Sequence, residues 1–260
     1  MSRIILAALA CAFITPASVI TQSSALDAAA KTLGTAGLRS MQFTATGQSF
    51  VLGQPPTATE PWPLRPVKSY QVYVDYGSNS MRVEQVLTMP TPQPPGGGAP
   101  FAGGQRQVQF VRGAFAWNEA PPAAGAQTPT IQPQPAAATE RLLWMWAATP
   151  QGSIKAAASN ARVRNVANGT ELTFTVGGRY PIVASNNKMN QVERVTALLP
   201  NDVLGDMPVV TTYSGYKDFG GIQFPARIVQ TQGGYPTLDL TVSAVQTNGF
   251  VDITVADQVR

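Results

Sequence analysis

From residue 41 onward, hydrophobic positions recur every second residue. In MQFTATGQSFV, Met41, Phe43 and Ala45 share one side; in KSYQVYVDYG it is Tyr70, Val72, Val74 and Tyr76; MRVEQVLTM continues with Met81 and Val83. Successive strand residues point to opposite faces, so this period predicts half-buried strands. QVQFVRGAFAWNE reads as a hairpin of the same kind. The second half is a meander punctuated by turn pairs. ARVRNVA, TELTFTV, RYPIVAS and MNQVERVTALL are separated by Asn168-Gly169, Gly177-Gly178 and Asn186-Asn187, which supply the positive φ angles of tight hairpins. PVVTTYSGYKD, IQFPARIVQTQ and LDLTVSAVQTN follow, and FVDITV is expected to close the chain as a strand.

Three segments depart from this period. SSALDAAAKTLG predicts a short helix capped by Ser24 and ended by Gly34. TERLLWMWAATP predicts an apolar helix carrying Leu142, Leu143, Trp144, Met145 and Trp146, which needs cover on several sides. Thr149 then caps a third helix with Pro150 at its first position, PQGSIKAAASN, ending near Asn160. The expected fold class is mainly β (α+β). It is a curled antiparallel sheet of about eleven strands forming an incomplete barrel, with an N-terminal helix and two inserted helices as lid.

Two stretches, 90–104 and 120–138, are crowded with Pro, Gly and Ala and predict flexible loops inserted between strands. Their flanks are too short to form separate cores, so residues 26–260 are expected to be a single half-barrel domain. Residues 1–25 read as a signal peptide: MSR gives the basic start, IILAALACAFI the apolar centre, and SSA, ending at Ala25, a small-residue cleavage site. A periplasmic or secreted protein is the expectation. Cys11, the chain's one cysteine, falls within that segment, so the mature domain has no thiol for a disulfide or redox centre.

Composition then narrows the chemistry. There is no histidine among the 260 residues, so neither a Ser-His-Asp triad, nor a histidine base, nor a histidine-ligated zinc is available. The fourteen acidic residues form no calcium loop, and no nucleotide-binding fingerprint is present. SNNK, Ser185 to Lys188, matches Ser-x-x-Lys but sits on a turn without its partner motifs. In YSGYKDFGGIQFP, Lys217 and Asp218 are adjacent strand residues on opposite faces, so a hairpin explains the segment better than a catalytic pair. No catalytic residue, metal site or cofactor is expected. The net charge is +4, and the basic residues are scattered singly apart from Arg162 and Arg164, which predicts no nucleic-acid surface.

What remains is apolar. Phe43, Phe110, Phe115, Trp117, Trp144, Trp146 and Phe174 lie on strand or helix segments. Two readings stand: they fill an ordinary core, or they line an apolar cavity enclosed by the curled sheet and its helices.

The order of helix, strands, paired helices and meander resembles the periplasmic lipoprotein-carrier superfamily of the LolA/LolB/LppX type. The ending YSGYKDFGGIQFPARIVQ followed by LDLTVSAVQTNGFVDI is similar to that group's last hairpin and terminal strand. The resemblance implies an open barrel around a hydrophobic cavity, a lipid or lipidated protein as partner, and peripheral contact with a membrane. AWNE, TPQGSIKAAASN, VLGDMPVVTTYSGYKDFGGIQFP and QGGYPTLDLTV also resemble the non-catalytic region preceding the metal-binding domain of exported metallo-β-lactamase-fold hydrolases. The H-x-H-x-D-H motif of those enzymes is absent, so this second resemblance implies an accessory domain whose hydrolase partner lies elsewhere, in cis or in trans.

Overall fold

The computed structural model describes residues 17–51, 57, 62–89, 104, 106–122, 125, 127–199 and 206–260, with side chains from residue 24 onward. Helix α1 spans Ala17–Thr32. Six strands follow: β1 (Ser40–Phe50), β2 (Leu64–Asp75), β3 (Ser80–Leu87), β4 (Arg106–Arg112), β5 (Phe115–Ala120) and β6 (Thr130–Pro133). A 3-10 turn leads into α2 (Ala138–Ala147) and α3 (Pro150–Ala157). Then come β7 (Arg162–Val166), β8 (Gly169–Val176), β9 (Tyr180–Asn187), β10 (Val192–Leu199), β11 (Met207–Asp218), β12 (Gln223–Gln232) and β13 (Tyr235–Thr247).

All thirteen strands form one antiparallel sheet in the order β6-β5-β4-β3-β2-β1-β13-β12-β11-β10-β9-β8-β7. The first and last strands pair at its middle, so the two halves of the chain run outward from a shared seam. The free edges are β6 and β7, and the curled sheet stops short of a closed barrel, as expected. Helices α2 and α3 are the connection between those two edges, which carries them across the concave side. There α2 packs on β3, β4 and β5 from one half and on β10 from the other, while α3 packs on β8 and α1.

The sequence reading differs from the structure in several places. FVDITV is not a strand: residues 250–256 are irregular and a 3-10 turn, Asp257–Val259, follows. The stretch 120–138 is not all loop, because Thr130–Pro133 joins the ladder, pairing Ile131 with Glu119 and Pro133 with Trp117. Its prolines sit at or beyond the end of an edge strand, where a missing N–H costs nothing. The stretch 90–104 lies outside the described residues except Gly104, as does the proposed signal segment before Ala17. Helix α1 begins at Ala17 and continues through Ala25. Two hairpins also shift by one or more residues. The β7–β8 apex is Ala167-Asn168, with Gly169 already in the strand, and β9 continues through Asn187 so that 188–191 make the turn. A Cβ at Gly169 would lie 1.9 Å from the Asn186 carbonyl oxygen, so glycine is required there by close strand approach.

The tail after β13 is held by its own contacts on the convex face. Gln109 pairs with Val83 and Asn118 and lines the concave side. Phe110 and Trp117, its neighbours in the ladder, therefore face outward. Their rings stack with centroids 4.8 Å apart. Val108, Phe110, Trp117 and Ile253 form a separate buried cluster, flanked by Ile131, Val251, Val255 and Val259. Arg112 donates to the Ile253 carbonyl at 2.6 Å and the Gln42 carboxamide to the Phe250 carbonyl at 3.4 Å, so the tail crosses the strands as a strap.

On the concave side, the α2–α3 junction is fixed by polar groups buried within an apolar core. Thr149 is extended and its hydroxyl accepts from the Gly152 N–H at 2.9 Å, the expected N-cap. The same oxygen lies 2.6 Å from the Tyr76 hydroxyl. Tyr213 donates to the Ala147 carbonyl at the end of α2, and Tyr216 to the Val192 carbonyl at 2.6 Å. Gln151, fully buried, donates to the Leu33 and Gln223 carbonyls at 3.2 and 2.8 Å, tying α3 to the end of α1 and to β12. The tyrosines of YSGYKDFGGIQFP thus anchor helices and strands, and Asp218 accepts from the Gly221 N–H at 2.8 Å to close the hairpin turn.

Candidate ligand-binding site

Helix α2 does not fill the concave face completely. Between it and the sheet lies a cavity of about 290 Å³, close to the lower end of the roughly 300–1,000 Å³ range of small-molecule sites. Leu143, Trp144 and Ala147 of α2 form one wall; Ala197, Leu199, Val209 and Leu238 of β10, β11 and β13 form the apolar part of the other. Polar groups come from both halves of the sheet: Tyr70 and Gln109 from β2 and β4, Thr211, Gln230 and Gln232 from β11 and β12. At the N-terminal end of α2, Glu140 and Arg141 complete the lining.

Arg141 is already committed. Its Nη1 donates to the carbonyls of Phe110 and Trp117 at 3.0 and 2.8 Å, and its Nη2 to Asn118 Oδ1 at 2.7 Å. It therefore staples α2 to the β4–β5 hairpin; partial burial lowers its pKa, with neighbouring Glu140 opposing that shift. Tyr70 is 5% exposed, and burial pushes its phenol well above the ordinary value of 10.0, with the hydrogen bond from the Trp144 side chain pulling the other way. Thr211 is 1% exposed and lines the cavity. Gln230 uses its carbonyl oxygen to accept from Thr237 at 3.1 Å, which leaves its amide N–H groups for the cavity.

No family model and no curated protein matches the chain. Among solved structures it is similar to a LolA superfamily protein from Nitrosomonas europaea, with 15% identity and a TM-score of 0.46. It is also similar to a DUF1329 family protein from Desulfovibrio piger, with 12% identity and a TM-score of 0.48, and to a putative outer membrane lipoprotein-sorting protein domain from Vibrio parahaemolyticus, with 10% and 0.44. Each alignment covers 88% of this chain and 94% of the other.

The seven aromatics singled out in the sequence do not meet at one place. Trp144 lines the cavity. Trp146 stacks on Tyr76, centroids 5.6 Å apart, and lines a broader, more open trough of about 650 Å³ between α1 and α3. Phe43 and Phe174 are buried in the main core, Phe43 against Tyr70 and Phe224. Phe110 and Trp117 lie under the tail on the convex face, and Phe115 is 40% exposed at the β4–β5 turn. The polar lining residues went unnoticed in the sequence, although a signal for them exists. Thr211 interrupts the apolar set Val209 and Tyr213 on one face of β11, and Gln230 follows Ile228 in the same way on β12. A polar residue on an otherwise buried strand face marks a place where the core gives way to something else.

Proposed function

We propose that this protein is a non-enzymatic binding protein that holds a small apolar or amphiphilic ligand, of the acyl-chain class, between α2 and the concave face of its sheet. The observation that carries the reading is the 290 Å³ cavity itself, apolar along Leu143, Leu199, Val209 and Leu238 and polar along Tyr70, Gln109, Thr211, Gln230 and Gln232. A site with this division suits a molecule with a greasy part and a polar part. Among the described residues no cluster of three metal-ligating side chains occurs, and the buried tyrosines that could have served chemistry are engaged in holding helices. Export to the periplasm, read from residues 1–25, forms part of the same proposal, as does a lipid or lipidated protein as the source of the chain. The accessory-domain reading rests on the sequence motifs alone.

Native mass spectrometry of the protein recovered from its own cell envelope tests both parts. The expected spectrum carries a lipid-sized increment that organic solvent removes, and the stripped protein takes up a dansylated fatty-acid probe in a one-to-one complex. A bare mass together with no probe uptake would overturn the proposal.

A further inference from the structure

The geometry points to a more specific ligand class: a molecule whose apolar chain carries an uncharged hydrogen-bond acceptor, an ester or amide carbonyl, rather than a free carboxylate. This rests on the cavity being a binding site and concerns its polar half. Three groups there have hydrogen to give. Burial keeps the Tyr70 phenol protonated, so its hydroxyl can donate. The buried Thr211 has a hydroxyl in the lining, and Gln230 has its carbonyl oxygen occupied by Thr237. Thr211 and Gln230 are directly opposed on β11 and β12, so their side chains are neighbours on one face. Tyr70 reaches the same space from the other half of the sheet. A buried donor left without an acceptor is costly, so a ligand that supplies a carbonyl is selected over one that does not.

A charged head is disfavoured by the same residues. A carboxylate taken into a site of this depth needs a cation. The cation in the lining, Arg141, is held by three hydrogen bonds to Phe110, Trp117 and Asn118, and Glu140 beside it adds a negative charge at the N-terminal end of α2. The donors opposite are neutral, and burial keeps the Tyr70 phenol so.

Competition for the dansylated probe among monodecanoylglycerol, decanoate and decane tests the inference on the unmodified protein. The ester should compete about tenfold better than either of the others, the effect of one satisfied hydrogen bond. In the isosteric Tyr70→Phe and Thr211→Val double variant that advantage should shrink to about threefold or less, with decane competing as before. Equal competition by all three, or tighter binding of decanoate, would overturn the inference while leaving the cavity as a binding site. Failure of the probe and of all three ligands to bind would overturn the binding-site reading as well.

Discussion

Four tyrosines, Tyr70, Tyr76, Tyr213 and Tyr216, have phenols raised above the ordinary 10.0, in each case mainly by burial. A group whose folded pKa is raised contributes stability that is intact below its unfolded pKa and is lost above it, because the unfolded chain releases protons that the folded one must keep. At one pH unit above the unfolded value, each such tyrosine favours unfolding by about 1.4 kcal/mol, and four together by about 6 kcal/mol. At two units the sum is about 11 kcal/mol, comparable with the ~5–15 kcal/mol total of a typical domain. Stability should therefore hold up to about pH 10 and collapse between about pH 11 and 12. Tyrosinate absorbance near 295 nm and far-UV circular dichroism, followed in one alkaline titration, should show these four phenols ionising together with loss of strand signal. Tyr213→Phe should lower the slope of stability against pH by about a quarter. If all seven tyrosines of the chain ionise while the circular dichroism of the fold persists, the burial argument is wrong.

Gly152→Ala should destabilise by about 1–3 kcal/mol, since a Cβ there would lie 2.9 Å from the Trp146 carbonyl oxygen and 3.3 Å from Tyr76. At an exposed helix position the same change would stabilise, so the sign of the thermal shift decides. Thr149→Ala removes both the cap of α3 and the partner of Tyr76 and should cost about 1–2 kcal/mol in urea denaturation. On the convex face, Ile253→Asp should release the tail, read as a red shift of Trp117 fluorescence and new dye binding, because Ile253 is 3% exposed. Phe250→Ser, 90% exposed, should change stability by no more than about 0.5 kcal/mol. Ala197→Leu, which fills the cavity from β10, should leave stability unchanged or raised and reduce probe affinity by about tenfold or more.

The regular parts of this fold were legible because period-two patterning and glycine turns are local. Tyr70, Val72, Val74 and Tyr76 declare one face of β2 without reference to any other strand, and Thr149-Pro150 declares the start of α3. Which face is concave is not local. Phe110 and Trp117 fit an apolar strand face as well as Phe43 does, and only the register placing Gln109 beside Val83 puts them on the outside. FVDITV misled for a related reason. Its alternation is real, and Ile253 is buried, but the residues meet a sheet face instead of a sheet edge, so no ladder forms. The cavity was illegible for the strongest reason. Its lining comes from β2 and β4 on one side of the seam and β10 to β13 on the other, brought together by helices that begin at one free edge and end at the other.

The polar half of that lining also bears on how the proposed site would behave without a ligand. At about 24 cal/mol per Å³, a dry void of 290 Å³ would cost about 7 kcal/mol, a large share of a domain's stability. An enclosed apolar hole would carry that cost in full, whereas a recess open on one side, with Tyr70, Thr211 and the glutamines in its wall, would admit water. A ligand of the proposed kind would then compete with water for those donors. Its chain would gain from contact with Leu143, Leu199 and Leu238, but a head without an acceptor would leave the Tyr70 and Thr211 hydroxyls unmatched as it drove the water out. In the proposed site a matched acceptor, at about 1 kcal/mol, would count for roughly as much as one further methylene of chain at about 0.8 kcal/mol, so polar matching and chain length would trade against each other.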